Sequence, residues 1–243
     1  MSNIQNMSKI TQKKQQGTII LVTGAGGGIG QAICLALADK NTTILAVERT
    51  ATRCSSLKKE IGKHGGVCEV YIADLSKHSN IQKLFKNIRK KYKTINWIVQ
   101  SVGFLDKKES HKSLQQTFAI NTFSLISFAN LFTPHIKRGG FIHISSTAGI
   151  WGNPSFPIYS ASKGAVNTFS QSLAKKIASK KLSCITLCPG PTNTKMLPRG
   201  IKTYQKPEAV ANVIQKIVNK KSTYKNGDII IVRDGKSKTY QRL

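Results

Sequence analysis

Short apolar runs alternate with helix-patterned stretches along almost the whole of this chain, and few folds accommodate that rhythm. Residues 18–22 (Thr-Ile-Ile-Leu-Val) form a continuous apolar run that reads as a buried strand, and 29–40 follow as a helix. The pairing recurs with strands at 43–47, 67–72, 95–99, 140–144 and 183–187, and helices at 52–63, 76–92, 113–137, 158–179 and 208–219. A last strand is expected at 229–232. Strand–helix alternation implies parallel strands joined by right-handed crossovers, hence an α/β protein with a doubly wound parallel sheet and helices on both faces.

The turn after the first strand is unusually rich in glycine: Thr23-Gly24-Ala25-Gly26-Gly27-Gly28-Ile29-Gly30. Glycines there let the backbone turn tightly and approach a pyrophosphate, which the amide groups and dipole of the following helix favour. No Lys-Ser or Lys-Thr follows Gly30, so this is not a GxxxxGK[ST] nucleotide loop. A dinucleotide is the expected ligand, held by Thr23, Gly24, Gly28, Ile29 and Gly30. An acidic residue near ~20 positions further on binds the adenine ribose in such proteins. Glu48, 18 residues after Gly30, fills that place and favours NAD, while the adjacent Arg49 suits the 2′-phosphate of NADP. The carboxylate would repel that phosphate, so NAD is preferred, with NADP the alternative. Asp74, after the third strand, is placed to approach the adenine or to open a helix.

A chain of 243 residues, with no repeat and no Pro-, Gly- or Ser-rich linker, reads as one domain over 18–235. It is flanked by a flexible polar tail at 1–17, carrying Lys9, Lys13 and Lys14, and a short tail at 236–243. No apolar run approaches the ~20 residues of a membrane span, and 1–17 lacks the apolar core of a secretory signal. The five cysteines are odd in number and lack a Cys-x-x-Cys, so neither a disulfide framework nor a metal site is expected. That suits a reducing, cytoplasmic setting. The charge is extreme, with 38 Lys and Arg against 10 Asp and Glu, net +28. The cations are dispersed over helix faces without aromatic interleaving, which favours a lysine-rich surface over a nucleic-acid site.

Tyr159 and Lys163 lie one helical turn apart and share a helix face. A nearby ammonium favours phenolate, bringing a phenol toward acid–base work near neutral pH. Behind the glycine turn, this pair gives the chain its resemblance to the short-chain dehydrogenase/reductase family, classical type, across 18–235. Thr23 to Gly30 matches the family's Thr-Gly-x-x-x-Gly-x-Gly, and Tyr159 to Lys163 its Tyr-x-x-x-Lys. The catalytic Ser, 13 residues before the Tyr, falls on Ser146, and the helix Asn, 25 before that, on Asn121. Pro189-Gly190-Pro191-Thr192-Asn193-Thr194 matches the Pro-Gly-x-x-x-Thr after the sixth strand.

The resemblance implies a Rossmann-type sheet of about seven strands in the order 3-2-1-4-5-6-7 and an NAD(P)-dependent oxidoreductase acting on a carbonyl or alcohol. It implies that Tyr159 exchanges the proton, that Lys163 lowers its pKa and bonds the nicotinamide ribose, and that Ser146 steadies the substrate oxygen. Asn121 would hold a water in a proton relay, Ile185 and Pro189-Gly190 would shape the nicotinamide end, and Thr194 would bond the carboxamide. Homodimers or homotetramers through the two long helices are implied as well. Ser145 reads as a structural neighbour and His143 as a strand residue without a catalytic part. Asp228 and Asp234 read as turn residues. Trp151, Phe156 and Met196 either line a substrate pocket or pack.

The chain also departs from the family pattern. The usual Asn-Asn-Ala-Gly after the fourth strand is Gln100-Ser101-Val102-Gly103, so only Gly103 survives and altered adenosine contacts are expected. The Gly three residues beyond the helix Asn is Ser124, and the second Gly of the closing Asp-Gly-Gly is Lys236. The loop between Thr194 and Pro207 is short and carries Lys195, Arg199, Lys202 and Lys206. A small, anionic or carrier-bound substrate is therefore expected, a 3-oxoacyl thioester on acyl carrier protein being one version. The competing readings are a dinucleotide-binding protein without turnover and a nucleic-acid-binding protein driven by charge.

Overall fold

Apolar side chains occupy both faces of the inner strands because helices cover both. In β1 (Thr18–Thr23), Ile20 and Val22 enter one core while Ile19 and Leu21 enter the other. The same division splits Ile44 and Ala46 from Leu45 and Val47 in β2 (Thr42–Glu48). The period of two along a strand makes this automatic once helices lie above and below. The computed structural model describes residues 17–198, 200–203 and 205–241.

One sheet is formed, in the order β3-β2-β1-β4-β5-β6-β7-β8. The remaining strands are β3 (Val67–Ile72), β4 (Ile95–Gln100), β5 (Ile136–Ile144), β6 (Ser183–Pro189), β7 (Ile229–Arg233) and β8 (Lys236–Gln241). Every pairing is parallel except β7 with β8. One face is covered by α1 (Gly28–Ala36), α2 (Leu57–Lys63) and α8 (Pro207–Val218), through residues such as Ile33, Ile61 and Ile214. The other is covered by α3 (His78–Lys91), α5 (Ser124–Phe132) and α7 (Pro157–Ile177), through Leu84, Phe128 and Leu173. This is the doubly wound sheet expected from the alternation, with its first seven strands in the expected order.

The single helix expected over 113–137 is composite. It runs as α4 (His111–Phe118), a π-helical turn at Ala119–Phe123, and α5, and then closes in a 3₁₀ turn at Thr133–His135. Pro134 lacks the N–H and the ring clearance to continue a helix, so Ile136 and Lys137 already belong to β5. The segment 236–241, expected as part of a short tail, instead forms β8. Asp234 and Gly235 take φ of 52° and 72°, the left-handed pair of a two-residue hairpin, and Arg233 pairs with Lys236. Of the tail expected at 1–17, residues 1–16 lie outside the described residues. No described helix is long and apolar enough to cross a membrane. The five cysteines are free and buried.

Sheet order reverses between β1 and β4, because β1 is followed in space by β2 on one side and β4 on the other. The loops leaving the C-terminal ends of such strands diverge and leave a crevice for a ligand.

Candidate active site

Thr23 ends β1 and holds the two diverging loops together. Its carbonyl accepts from Ser101 N–H and its hydroxyl accepts from Val102 N–H, each at 3.3 Å. Thr23 is fully buried and does not line the crevice. The expectation that it contacts the cofactor is corrected accordingly: its side chain is spent bracing β1 against the β4 loop. Beyond it, Gly24 takes a φ of +66°, and a Cβ there would meet Val102 Cα at 2.8 Å. That residue type is required both by the turn and by the packing of loop on loop.

A cleft of about 880 Å³ lies over this turn. Glu48, Arg49, Arg53 and Asp74 line one end, and Gly103, Thr194 and Met196 the other. Between them run Gly24, Gly28, Ile29 and Gly30 at the start of α1, whose first turn carries no acidic residue to oppose an anion. At Gly103 a Cβ would reach 3.3 Å from Met196 Cε and 3.8 Å from both Asn121 Oδ1 and Lys163 Nζ. The missing side chain keeps the path to the catalytic candidates open. An elongated dianion with a flat ring at each end fits this set of groups.

Glu48 is not a free carboxylate. Its Oε2 accepts from Gly26 N–H at 3.2 Å, and its Oε1 accepts from Arg49 N–H at 2.9 Å and faces Arg53 Nη1 at 3.5 Å. It is 6% exposed. Arg53, in the 3₁₀ turn Ala51–Cys54, was not anticipated from sequence. Asp74 lines the cleft and also opens the turn into α3, its Oδ1 accepting from Ser76 N–H and Oγ–H. Burial pushes its carboxyl up, but the Ser76 bonds, with Lys77 and Arg49 nearby, outweigh that and hold it below the usual range. Gln100, expected to alter adenosine contacts, points into the interior, 1% exposed, while Ser101 lines the cleft in its place.

A second, smaller cavity of about 200 Å³ adjoins the first through Ile29, Ser101, Gly103, Thr194 and Met196. It brings together Ser146, Tyr159 and Lys163, with Pro189, Gly190 and Thr194 on its wall. Ile185, expected at this end, is buried in the core of the sheet and lines neither cavity. The β6 side chains at alternate positions face opposite layers, and this one faces α8 rather than the site.

Pro157 starts α7 at a position where its missing N–H is harmless. Helical spacing then sets Tyr159 half-buried in the cavity and Lys163 beneath it, 3% exposed. Lys163 Nζ donates to Ile144 O at 2.9 Å and lies 5.8 Å from the Tyr159 ring centroid. Burial lowers Lys163 to about 8, partly offset by Cys188. Burial likewise raises Tyr159 to about 12, against a hydrogen bond with Ser146 that favours phenolate. The expected lowering of the tyrosine by Lys163 is therefore not what this protein alone provides: desolvation of the phenol outweighs an ammonium that is committed to a carbonyl. Ser146 Oγ also accepts from Ala148 N–H at 3.1 Å. Ser145 Oγ–H donates to Lys163 O, tying β5 to α7.

Asn121 sits in the π-helical turn, a local widening of the helix often found at functional positions. Its Nδ2 donates to Phe104 O and Ser162 Oγ, and its Oδ1 accepts from Phe104 N–H at 2.7 Å. The amide thus clamps the loop after β4 onto α7. Ser162, which closes this network by donating to Tyr159 O, carried no signal of its own in the sequence. Ser124 Oγ–H donates to Ile120 O, satisfying a carbonyl of the same irregular turn. His143 is fully buried against Ser170 Oγ at 2.7 Å, and burial plus the Lys163 charge lower it to about 3. Trp151, Phe156 and Met196, left open between lining and packing, all line the cavity.

A model of the short chain dehydrogenase family matches residues 18–205. The chain belongs to that family, and is an oxidoreductase acting on CH–OH or C=O groups with a nicotinamide dinucleotide. It is 25% identical to the 3-oxoacyl-[acyl-carrier-protein] reductase FabG of Thermotoga maritima, over 90% of this chain and 98% of that protein. It is 30% identical to the tetrahydroxynaphthalene reductase PfmaG of Pestalotiopsis fici, over 80% and 75%. The 3beta-hydroxysteroid dehydrogenase of Mediterraneibacter gnavus is also 30% identical, over 74% and 68%. Its fold matches the crystal structure of L-sorbose reductase from Gluconobacter frateurii, complexed with NADPH and L-sorbose. That match has a TM-score of 0.82, at 20% identity, covering 93% of this chain and 98% of that one.

Proposed function

We propose that this protein reduces the carbonyl of a small molecule, with Tyr159 as the acid that protonates the product oxygen. The observation that carries the reading is the convergence of Tyr159, Ser146 and Lys163 on a cavity that opens into the glycine-lined cleft. Bound in that cleft, a nicotinamide dinucleotide supplies the hydride. The start of α1 would hold its pyrophosphate, and Pro189, Gly190 and Thr194 would border its nicotinamide end. Ser146 would hydrogen-bond the substrate oxygen and Tyr159 would give it a proton. Lys163 would restore that proton balance and hold the ribose. Asn121 would act through the loop and helix it clamps, with its side-chain amide already bonded within the protein. Assembly through the α4–α5 and α7 faces is proposed with it, since Leu114 and Phe123 are exposed there.

The sign of the tyrosine shift has a consequence for pH. A phenol that keeps its proton up to about 12 is an acid throughout the neutral range. Carbonyl reduction is expected to stay level across that range, whereas alcohol oxidation, which needs phenolate as the base, climbs as pH rises. Rates in both directions at saturating dinucleotide check this. Oxidation that is level while reduction falls would contradict it.

The tethering of Glu48 supports NADP as the cofactor here, in place of the NAD preferred from sequence. Its carboxylate is bonded on both oxygens, while Arg49 and Arg53 line the same end of the cleft. Two guanidinium groups suit a 2′-phosphate, through charge-assisted bonds. NADPH is expected to bind about tenfold or more tightly than NADH, a difference of about 1.4 kcal/mol. An Arg49→Ala, Arg53→Ala double variant should erase that difference. Calorimetric titration of both forms reads the outcome; equal affinity in the unaltered protein would contradict the NADP preference, and tighter NADH binding would return it to NAD.

A carrier-borne 3-oxoacyl substrate is the second reading. The Thermotoga relative is covered over 98% of its length, and a net charge of +28 suits an acidic carrier.

A further inference from the structure

The cavity holding Tyr159 is mostly apolar, with Ser101, Thr147, Asn153, Thr192 and Thr194 beside the reacting groups. Leu105, Trp151, Phe156, Met196, Leu197 and Ile201 make up most of its outer wall. Several of its polar side chains are spent within the protein. Thr192 Oγ–H donates to Gly190 O and its oxygen accepts from Gln205 Nε2. Asn153 Oδ1 accepts from Ser155 N–H, and Lys163 Nζ is bonded to Ile144 O. Lys163 is the one charged side chain on the wall among the described residues. Of the basic loop, Lys195 faces the dinucleotide cleft, Lys202 and Lys206 line neither cavity, and Arg199 lies outside the described residues. Among the described residues the wall offers a seated ligand charge no cation besides Lys163, which is already bonded to Ile144 O, and desolvating such a charge is unfavourable.

The mouth is aromatic. Trp151 ends α6 (Ala148–Trp151), is 58% exposed, and meets Tyr240 of β8 edge to face, with ring centroids 6.4 Å apart and planes at 90°. The unexpected eighth strand thus reaches the substrate site. The edge contact fixes the indole, leaving a broad apolar surface beside a cavity of only about 200 Å³, below the about 300–1,000 Å³ of pockets for drug-sized ligands.

We infer that the substrate is a compact, uncharged ketone bearing one or two aromatic rings, stacked against Trp151, with Tyr240 as the positioning residue that holds the indole. This rests on the carbonyl-reductase reading of the same site.

The test is calorimetric and needs no turnover. With the protein saturated by NADP⁺, titrate acetophenone, 1-tetralone, 4-carboxyacetophenone and an acetoacetyl thioester. The two neutral aryl ketones are expected to bind at least about tenfold more tightly than the carboxylate and the thioester. Trp151→Ala and Tyr240→Ala should each weaken them by about tenfold, the size of one aromatic contact. Tyr240→Phe should restore affinity, and NADP⁺ binding should be unchanged in all three variants. Tighter binding of the carboxylate or thioester, or unaltered ketone affinity in Trp151→Ala, overturns the inference and leaves the reductase reading standing. Failure to bind NADP⁺ at all overturns both.

Discussion

Tyr159→Phe should lower kcat for carbonyl reduction by about 10²–10⁴-fold, the range that a positioned general acid contributes. Dinucleotide affinity should barely change. The substitution removes one hydroxyl and its bond with Ser146, leaving the ring, the α7 backbone and the Lys163–Ile144 bond in place. The split between kcat and binding is the informative part. A residue that only packed the cavity would alter KM and stability together and leave kcat near its original value. Steady-state kinetics alongside calorimetric titration of NADPH measure both quantities on the same preparation. A variant that retains full kcat would remove Tyr159 from the chemistry and transfer the acid to another group.

Gly30→Ala should be the most damaging single methyl addition in the cofactor turn. A Cβ at Gly30 would lie 2.0 Å from the Gly24 carbonyl oxygen and 3.1 Å from Ala25 Cα. Both are backbone atoms, so neither can swing aside. The turn must move away from α1, and the amide groups that would face the pyrophosphate move with it. Overpacking of this kind costs about 1–3 kcal/mol, and a displaced anion cradle loses affinity as well. The expected result is a lower unfolding midpoint in a thermal melt and at least about a tenfold loss in dinucleotide affinity, or about 1.4 kcal/mol. At one and the same excess of NADPH the variant should gain about 1.4 kcal/mol less stability from the ligand than the unaltered protein, because that gain follows the logarithm of the affinity. Unchanged melting and binding would mean that the turn has a looser packing than these distances describe.

The parallel core was legible because each strand is a run of apolar residues wherever both faces are covered. β1 and β2 needed nothing beyond their own sequence, and Pro207 opens α8 at a first helical position where its missing N–H is harmless. The irregular elements were less accessible. The π-helical turn around Asn121 has no composition of its own, and its wider winding is fixed by tertiary bonds to Phe104 and Ser162. β8 did carry a signal, the Asp234-Gly235 pair between two strand segments, but Lys236 and Lys238 masked the strand pattern after it.

The site divides the same way. The family resemblance assigned Ser146, Tyr159 and Lys163, and the fold brings the three to one cavity. Charge states were not readable from spacing. Lys163 and Tyr159 are shifted by burial, which depends on what the rest of the chain places around them. Glu48 shows the limit most clearly. Its position matched a ribose-binding acid, yet its oxygens face Gly26, Arg49 and Arg53, which lie on three separate stretches of the chain: the glycine turn, the end of β2 and the 3₁₀ turn. Substrate preference was likewise assigned to the cations of the loop after Thr194, while that loop gives the cavity wall Met196, Leu197 and Ile201 beside Leu105, Trp151 and Phe156.

The central claim is that a dinucleotide in the glycine-lined cleft exchanges hydride with a carbonyl held at Tyr159. Its most direct test uses NADPH deuterated at nicotinamide C4, on the transferred face, with 1-tetralone as the acceptor. Mass spectrometry of the alcohol should find the deuterium on the carbinol carbon, with the Tyr159→Phe protein binding NADPH but forming at least about a hundredfold less labelled product. A protein that binds neither NADPH nor NADH, or an alcohol formed without the label, would contradict the account.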